Sequence, residues 1–178
     1  TYSAAGDDQF WEYNDANGLE VAFFAGRKEN NEDWLISPII DLTTALNAEL
    51  SFDINYRFGI EPHSTLEVYV STNYPGGGNP NAFFSEKLPL ILPSEAKSWS
   101  DPMSSSGQID LTQFSGNKIY LAFKTTSAQN DNGSRQYRID NILINEYLPA
   151  IPLPVFIDFG ADMGELTALQ IAGNELIE

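Results

Sequence analysis

Strict alternation of apolar and polar residues marks the clearest β-strands of the chain. In residues 50–56, Leu, Phe, Ile and Tyr occupy every second position, and Ser, Asp and Asn lie between them. Residues 66–72 alternate in the same way, and residues 119–125 form a further, more continuously apolar run. Because successive side chains of a strand point to opposite faces, this period of two predicts strands that are buried on one side.

A second pattern surrounds the pair Ser37-Pro38, which interrupts the apolar run of residues 34–40. Proline cannot donate a ladder hydrogen bond, so the interruption predicts a strand that bends or ends there at a sheet edge. The run is followed by Asp41-Leu42-Thr43, and the same phrase recurs as Asp110-Leu111-Thr112 shortly before residues 119–125. We interpret both phrases as turns that enter the sheet.

Segments rich in proline and glycine, which interrupt strands, indicate the domain organisation. Residues 74–80 contain two prolines and three glycines and predict a loop, whereas residues 137–145 predict the last strand of the main body. Seven or eight short strands without helical periodicity predict an all-β sandwich for residues 1–147. Proline-rich residues 148–154 predict a stiff linker, and residues 155–178 are either the start of another domain or a segment that swaps onto a neighbouring chain.

Composition narrows the possible partners. The 178 residues include 42% hydrophobic residues, which exclude a disordered chain, and no cysteine, which excludes disulfides and thiolate chemistry. The 25 acidic residues against 9 basic ones give a net charge of -16, which predicts no nucleic-acid partner and no binding to anionic membranes. No apolar run approaches the roughly 18 residues of a membrane span, so we expect no direct membrane insertion. The chain begins at Thr1, and we expect a processed protein whose leader is not part of this sequence.

Several phrases resemble one family of bacterial surface modules. The segments that carry the resemblance are residues 31–42 (Asn-Glu-Asp-Trp-Leu-Ile-Ser-Pro-Ile-Ile-Asp-Leu), 50–52, 66–72, 107–112, 118–123 and 138–142. In this order they are similar to the choice-of-anchor J group, which is related to cleaved-adhesin domains and more distantly to MAM-type sandwiches. The similarity extends from about residue 5 to residue 147.

The resemblance implies a jelly-roll β-sandwich of the galactose-binding-like or concanavalin-like type. It implies a non-catalytic binding or adhesion module of a multidomain bacterial surface protein, with a glycan or a surface protein as its ligand. Neighbouring domains of the same polypeptide would be further partners. The location implied is extracytoplasmic, in the periplasm, on the outer-membrane surface or secreted. Jelly rolls of this kind often hold a structural calcium between the N-terminal region and the closing strand.

Asp140 is the first candidate for a calcium ligand. By strict alternation it shares a face with Ile142 and Ile144, which predicts an inward-pointing carboxylate that a metal or backbone N–H groups must compensate. Asn141 departs from the resembled family, which more often has a second acidic residue there. Other acidic residues that could complete the site are Glu20, Glu32 and Asp33, and ordinary surface acidity explains them equally well.

Ligand binding by an adhesion module calls for exposed aromatic side chains. Trp99 and Tyr74 are the candidates that we select, because both lie in irregular polar stretches rather than in strands. Trp99 could equally pack against the rim of the sheet. Trp11 is a further candidate, whereas the strand phase favours a core position for Tyr56 and Phe58.

Two other functions remain open. A glycan-processing enzyme needs two suitably spaced carboxylates, and 25 acidic residues can supply such a pair by chance. His63, the only histidine, lies in a Pro-His-Ser turn without a nucleophile motif, so we predict no catalytic residues and no enzyme. The second alternative is a structural spacer that binds no ligand.

Overall fold

Two antiparallel β-sheets pack face to face in the first of two units, Thr1–Leu148. The computed structural model describes residues 1–4, 10–14, 21–25, 30–58, 64–93, 100–127 and 135–146, and only the backbone of residues 14 and 21–25. The predicted linker and C-terminal segment, residues 148–178, lie outside the described residues.

The described strands are short to medium in length. In chain order they are β1 (Tyr2–Ser3), β2 (Glu12–Asn14), β3 (Val21–Ala25), β4 (Asn31–Ile36), β5 (Ile40–Asp41), β6 (Ala48–Arg57), β7 (Ser64–Ser71), β8 (Glu86–Leu88), β9 (Ser104–Ser105), β10 (Ile109–Asp110), β11 (Lys118–Ser127) and β12 (Gln136–Glu146). Two 3₁₀ turns, Pro80–Ala82 and Thr112–Phe114, complete the described elements. No helix in this part of the chain is long and apolar enough to cross a membrane.

The first sheet has the strand order β1-β4-β11-β7-β8, and β5 also pairs with β11. The second sheet has the order β10-β6-β12-β3-β2, and β9 also pairs with β6. Every pairing is antiparallel. Apart from β2–β3 and β7–β8, the paired strands are not consecutive in the chain, which crosses repeatedly between the two sheets. The predicted all-β sandwich is confirmed.

The core lies between the sheets, where the alternating residues of β6, β7 and β11 meet. Phe52 of β6 and Phe123 of β11 are both almost fully buried, and their rings pack edge to face with centroids 5.0 Å apart. The period of two therefore predicted the buried faces of these strands correctly.

The break at Ser37-Pro38 is also confirmed, because β4 ends at Ile36 and β5 begins at Ile40. Ser37 keeps the two strands attached to β11. Its backbone N–H donates to the Leu121 carbonyl at 2.8 Å, and its hydroxyl oxygen accepts from the Leu121 N–H at 3.0 Å. The strand lies between β1 and β11 rather than at the edge of the sheet.

The two Asp-Leu-Thr phrases form the same kind of turn. The Asp41 carboxylate accepts a hydrogen bond from the Thr43 backbone N–H at 3.0 Å, and Asp110 accepts one from the Thr112 N–H at 2.7 Å. The leucine between them is buried in both cases. Each turn therefore inserts an apolar side chain into the core immediately after a short strand.

The inward orientation predicted for Asp140 is wrong. A β-bulge lies between Asp140 and Leu143, and Asn141 adopts a φ of 50° there. The inward positions are Tyr137 and Ile139, whereas Asp140 is half-buried on the opposite face, opposite Asp53. The extra residue of the bulge shifts the phase, so alternation cannot be extended across it.

Candidate functional site

A cleft of about 500 Å³ opens on the outer face of the first sheet. Three tyrosines and a glycine-rich loop form most of its walls. Its lining residues are Thr1, Tyr2, Ile36, Ser37, Pro38, Ile39, Tyr74, Gly76, Gly77, Gly78 and Tyr120. We call it the tyrosine cleft.

Each tyrosine comes from a different part of the fold. Tyr2 lies on β1, where it pairs with Trp34, and Tyr120 lies on β11, where it pairs with Ser71. Tyr74 follows β7 in the loop of residues 72–79. Its ring lies edge to face on Tyr120 with centroids 5.2 Å apart. Two sheet strands and one loop thus converge on the cleft.

An aromatic cluster beneath the loop fixes the position of Tyr74. Its ring centroid lies 5.8 Å from that of Phe83 and 5.1 Å from that of Phe84. Phe84 in turn packs on the buried Trp34, with centroids 5.6 Å apart. The Asn79 side chain caps the 3₁₀ turn by accepting the Asn81 N–H at 3.0 Å. These contacts hold the loop against the sheet and shape one wall of the cleft.

Glycine is required at one point of this wall. Gly76 has a φ of +85°, and a Cβ added there would lie 3.7 Å from the Tyr120 hydroxyl oxygen. A non-glycine residue would therefore be strained in its backbone. Gly77 differs, because its φ is not in the left-handed region and a Cβ there would meet no atom within 4 Å. The loop can therefore accept a Cβ at Gly77 without rearrangement.

Polar and apolar groups both line the cleft. Burial raises the pKa of Tyr74, and the neighbouring Tyr120 and Tyr2 side chains raise it further. The Tyr74 hydroxyl is therefore neutral and can both donate and accept a hydrogen bond. None of the described lining residues has a charged side chain. This arrangement can bind a neutral ligand, and its described side chains include no carboxylate or imidazole for acid–base chemistry.

The structure gives different outcomes for the aromatic residues that the sequence suggested as ligand-binding or core residues. Tyr74 lines the cleft, whereas Trp99 lies outside the described residues. Tyr56 is buried as expected, and its hydroxyl donates to the Pro93 carbonyl at 2.9 Å. Phe58 is 54% exposed and Trp11 only 2% exposed, so the expectations for these two were wrong.

Tyr2 and Tyr120 were missed by sequence reasoning. The sequence did contain a signal for Tyr120. This residue occupies an outward position of its strand, because its sequence neighbours Ile119 and Leu121 point to the core. In the structure, the Tyr74 ring from the loop of residues 72–79 packs on this outward tyrosine. Tyr2 lies near the first residue of the chain, where no pattern marked a strand.

The proposed calcium ligands are only partly described. Asp140 and Asp53 are cross-strand partners at the bulge, and Asn141 joins them. Its backbone N–H donates to Asp140 at 2.8 Å, and its side-chain amide donates to Asp53 at 2.8 Å. Calcium takes six to eight oxygen ligands, and the described residues contain no group of three acidic or histidine side chains suited to a metal. Glu20 lies outside the described residues, so the calcium site stays a prediction.

Two other cavities suit a ligand less well. A groove of about 510 Å³ between the sheets has an almost wholly aliphatic and aromatic lining, including Leu35, Phe123 and Ile144. The other cavity, of about 430 Å³, is spanned by the ion pair between Lys87 and Glu67. The first offers little hydrogen bonding. In the second, Lys87 and Glu67 already bind each other, and Arg135 stacks on the Tyr56 ring.

Comparison with known proteins supports the fold. No protein-family model matches the sequence, and no curated protein matches it. The structure is similar to the crystal structure of the K1 cleaved adhesin domain of Lys-gingipain from Porphyromonas gingivalis W83, with a TM-score of 0.55, 18% identity, and coverage of 82% of this chain and 89% of that domain. The K3 cleaved adhesin domain of the same protein gives a TM-score of 0.54 and 16% identity, covering 81% and 88%. At these identities the similarity shows the fold, an adhesin-like β-sandwich.

Proposed function

We propose that this chain is a non-catalytic adhesion module that binds a neutral glycan in the tyrosine cleft. The observation that carries the proposal is the convergence of Tyr2, Tyr74 and Tyr120 around a cleft without charged side chains. The choice-of-anchor J assignment and an extracytoplasmic location within a multidomain surface protein belong to the same proposal. They are supported by the likeness of the fold to cleaved adhesin domains.

The chemistry of the cleft favours a sugar over a peptide or a lipid. A tyrosine ring offers an apolar face and a polar hydroxyl on one rigid side chain. Sugar rings present the matching combination of apolar C–H faces and hydroxyl groups. The hydroxyls of Tyr74 and Tyr120 and the backbone of residues 76–78 are available to pair with sugar hydroxyls at the rim.

The charge of the chain favours a neutral glycan over an acidic one. A net charge of -16 gives a negative field that repels uronic and sialic acids as they approach. The described lining of the cleft contains no basic side chain that would offset this repulsion. A neutral oligosaccharide meets neither obstacle.

The wall of the cleft is already ordered, which lowers the cost of binding. Tyr74 is fixed by ring contacts to Phe83, Phe84 and Tyr120. A ligand therefore does not have to immobilise this side chain, and more of the contact energy appears as affinity.

Screening on an array of neutral and acidic glycans, followed by calorimetry on the best ligand, tests the proposal. Gly77→Leu adds a bulky side chain at a lining position that tolerates a Cβ; we expect it to obstruct the cleft and to lower affinity on the order of tenfold or more. Tyr120→Phe removes one hydroxyl and should weaken binding by about 1 kcal/mol, roughly fivefold. Thr72→Leu, on an exposed residue outside the cleft, is the matched control.

The outcomes separate the three functions. Binding of neutral glycans that Gly77→Leu abolishes and Thr72→Leu preserves supports the module. Absence of binding across the array favours a structural spacer or a protein ligand. Hydrolysis of a bound glycan that a single carboxylate substitution stops would establish the enzyme alternative.

A further inference from the structure

Glu32, Asn81 and Lys124 meet on the outer face of the first sheet. The Lys124 amine nitrogen lies 3.1 Å from one carboxylate oxygen of Glu32 and 3.3 Å from the side-chain oxygen of Asn81. The Asn81 amide nitrogen donates a hydrogen bond to the other Glu32 oxygen. An amine, a carboxamide and a carboxylate are thus mutually in contact, although they come from β11, the 3₁₀ turn and β4.

Lys124 and Glu32 are partly shielded from solvent, whereas Asn81 is exposed. The Trp34 ring nitrogen donates to Glu32 at 3.2 Å, and the Lys124 amine lies 4.9 Å from the centre of the same ring system. The side chains of Lys124 and Glu32 are only 14% and 28% exposed. Burial raises the pKa of Glu32, but hydrogen bonds from Asn81, Lys124 and Trp34 outweigh it and lower the pKa. Glu32 at rest is therefore a carboxylate paired with the lysine ammonium.

We propose that Lys124 and Asn81 form an intramolecular isopeptide bond, with Glu32 as the group that moves the protons. The Lys124 ammonium gives one proton to Glu32, and the neutral amine attacks the side-chain carbonyl carbon of Asn81. The bond between that carbon and the Asn81 amide nitrogen then breaks. The amide nitrogen leaves as ammonium with protons from Glu32 and from the attacking amine, and Glu32 returns to a carboxylate. One amide bond replaces another, so no oxidant or further reactant is needed.

The geometry brings the reacting groups of this exchange together. One oxygen of Glu32 contacts the nucleophile and the other contacts the leaving group, so a single carboxylate can act as base and then as acid. The amine and the carboxamide are held in contact by the fold, which replaces a bimolecular encounter with a local one.

The other described lysines lack this arrangement. Lys87 pairs with Glu67, which also accepts from the Tyr69 hydroxyl, and Lys118 pairs with the exposed Asp41. Neither contacts a carboxamide in the described part of the chain. A lysine–carboxylate pair is common on protein surfaces. Lys124 differs from the other described lysines because an asparagine contacts both the lysine and its carboxylate partner.

The bond would attach the 3₁₀ turn that follows the loop of the tyrosine cleft to the central strand of the first sheet. It closes a ring between residues that are 43 positions apart. Such a cross-link restricts the unfolded chain and keeps the loop in place when the module is pulled or attacked by proteases. Both effects suit a domain that works under load, although the bond requires no ligand in the cleft.

Intact mass spectrometry of the purified, denatured chain tests the proposal. We expect a mass lower than that of the sequence by one molecule of ammonia, and a branched peptide joining Asn81 to Lys124 after proteolysis. Glu32→Gln and Lys124→Arg should restore the full mass, whereas Lys118→Arg, the matched control, should keep the deficit. Asn81→Ser, an exposed position outside the core, should also restore it and serves if the other variants fail to fold.

Full mass and linear peptides in the folded wild-type chain after prolonged incubation would overturn the proposal. So would a deficit that persists in Lys124→Arg, because loss of ammonia from an asparagine, as at Asn132-Gly133, forms a succinimide instead. A branched peptide that still forms in Glu32→Gln would remove Glu32 from the reaction.

Discussion

Two aspartates, Asp41 and Asp110, accept the same kind of turn hydrogen bonds at different points of the sandwich. Hydrogen bonds from the Thr43 hydroxyl and amide lower the pKa of Asp41, and the same two groups of Thr112 lower the pKa of Asp110. Both carboxylates are exposed, so the effect comes from the local hydrogen bonds rather than from burial. The turn thus links a surface carboxylate to the leucine that it places in the core.

Asp110→Asn should change how the stability of the protein depends on pH. The pKa of Asp110 is lower in the folded than in the unfolded state, so its charge stabilises the fold above the unfolded value of about 3.9 and this contribution is lost as pH falls through the folded pKa. Asparagine can still accept the Thr112 hydrogen bond but cannot ionise. We expect wild type to be more stable than the variant near pH 6, and the difference to shrink toward pH 2. Urea unfolding over this pH range measures it.

Glu86→Gln is the matched control for the loss of one negative charge, because Glu86 is exposed on β8. A constant difference between wild type and Asp110→Asn at all pH values would contradict the interpretation of the turn.

At the scale of elements, the bulge in β12 decides which residues the closing strand presents to each side. Before the bulge Tyr137 and Ile139 point inward, and after it Ile144 packs against the core. Asn141 takes up the extra residue with a φ of 50°, a conformation that asparagine tolerates better than most residues. Its side chain also bonds Asp53 on β6 across the irregular step.

The same bulge marks the limit of prediction from the sequence. Alternation identified β6 and β7 because each strand has one buried face along its whole length. It failed at Asp140 because one inserted residue reverses the alternation of inward and outward side chains. The only sign of the insertion in the sequence is an asparagine. Of the tyrosines that line the cleft, the sequence suggested only Tyr74, because a loop rich in glycine and proline is visible locally; its role in binding stays a prediction. Pairing between strands that are distant in sequence brings Tyr2 and Tyr120 to the cleft. The periodicity within a single strand does not predict such pairing.

Asn141→Ala should destabilise the protein, because alanine loses the bond to Asp53 and tolerates a positive φ poorly. We expect a loss of about 1–2 kcal/mol in the free energy of unfolding, measured by urea titration. Asn141→Gly relieves the backbone strain and should lose less. Asn145→Ala, at an exposed position of the same strand, is the control, and an equal loss there would show that the bulge contributes nothing specific.

At the scale of the whole molecule, unbalanced charge opposes the compact state. With 25 acidic and 9 basic residues, at least 16 acidic side chains have no basic partner of their own. The ion pairs of Lys87 with Glu67 and of Lys118 with Asp41 lie at the surface, where a pair contributes about 0–1 kcal/mol. Repulsion between the remaining acidic groups therefore dominates the electrostatics of folding.

Added salt should accordingly stabilise this protein. Raising sodium chloride from about 0.01 M to 0.15 M shortens the screening length from about 30 Å to about 8 Å and weakens the repulsion more than the few ion pairs. We expect a gain of about 1 kcal/mol, which corresponds to a rise in Tm of about 2–4 °C for a chain of this size. Differential scanning calorimetry at several salt concentrations measures it, and a falling Tm would show that the ion pairs outweigh the repulsion.

Calcium chloride at matched ionic strength separates screening from specific binding. A calcium ion held by Asp140 and its neighbours would bind only the folded chain and raise Tm beyond the sodium chloride value in a concentration-dependent way. EDTA should then reverse the additional rise, and Asp140→Asn should remove it while leaving the response to sodium chloride intact. If magnesium and calcium give the same Tm, and EDTA changes nothing at constant ionic strength, the acidity of this surface acts through its field alone and the predicted calcium site is wrong.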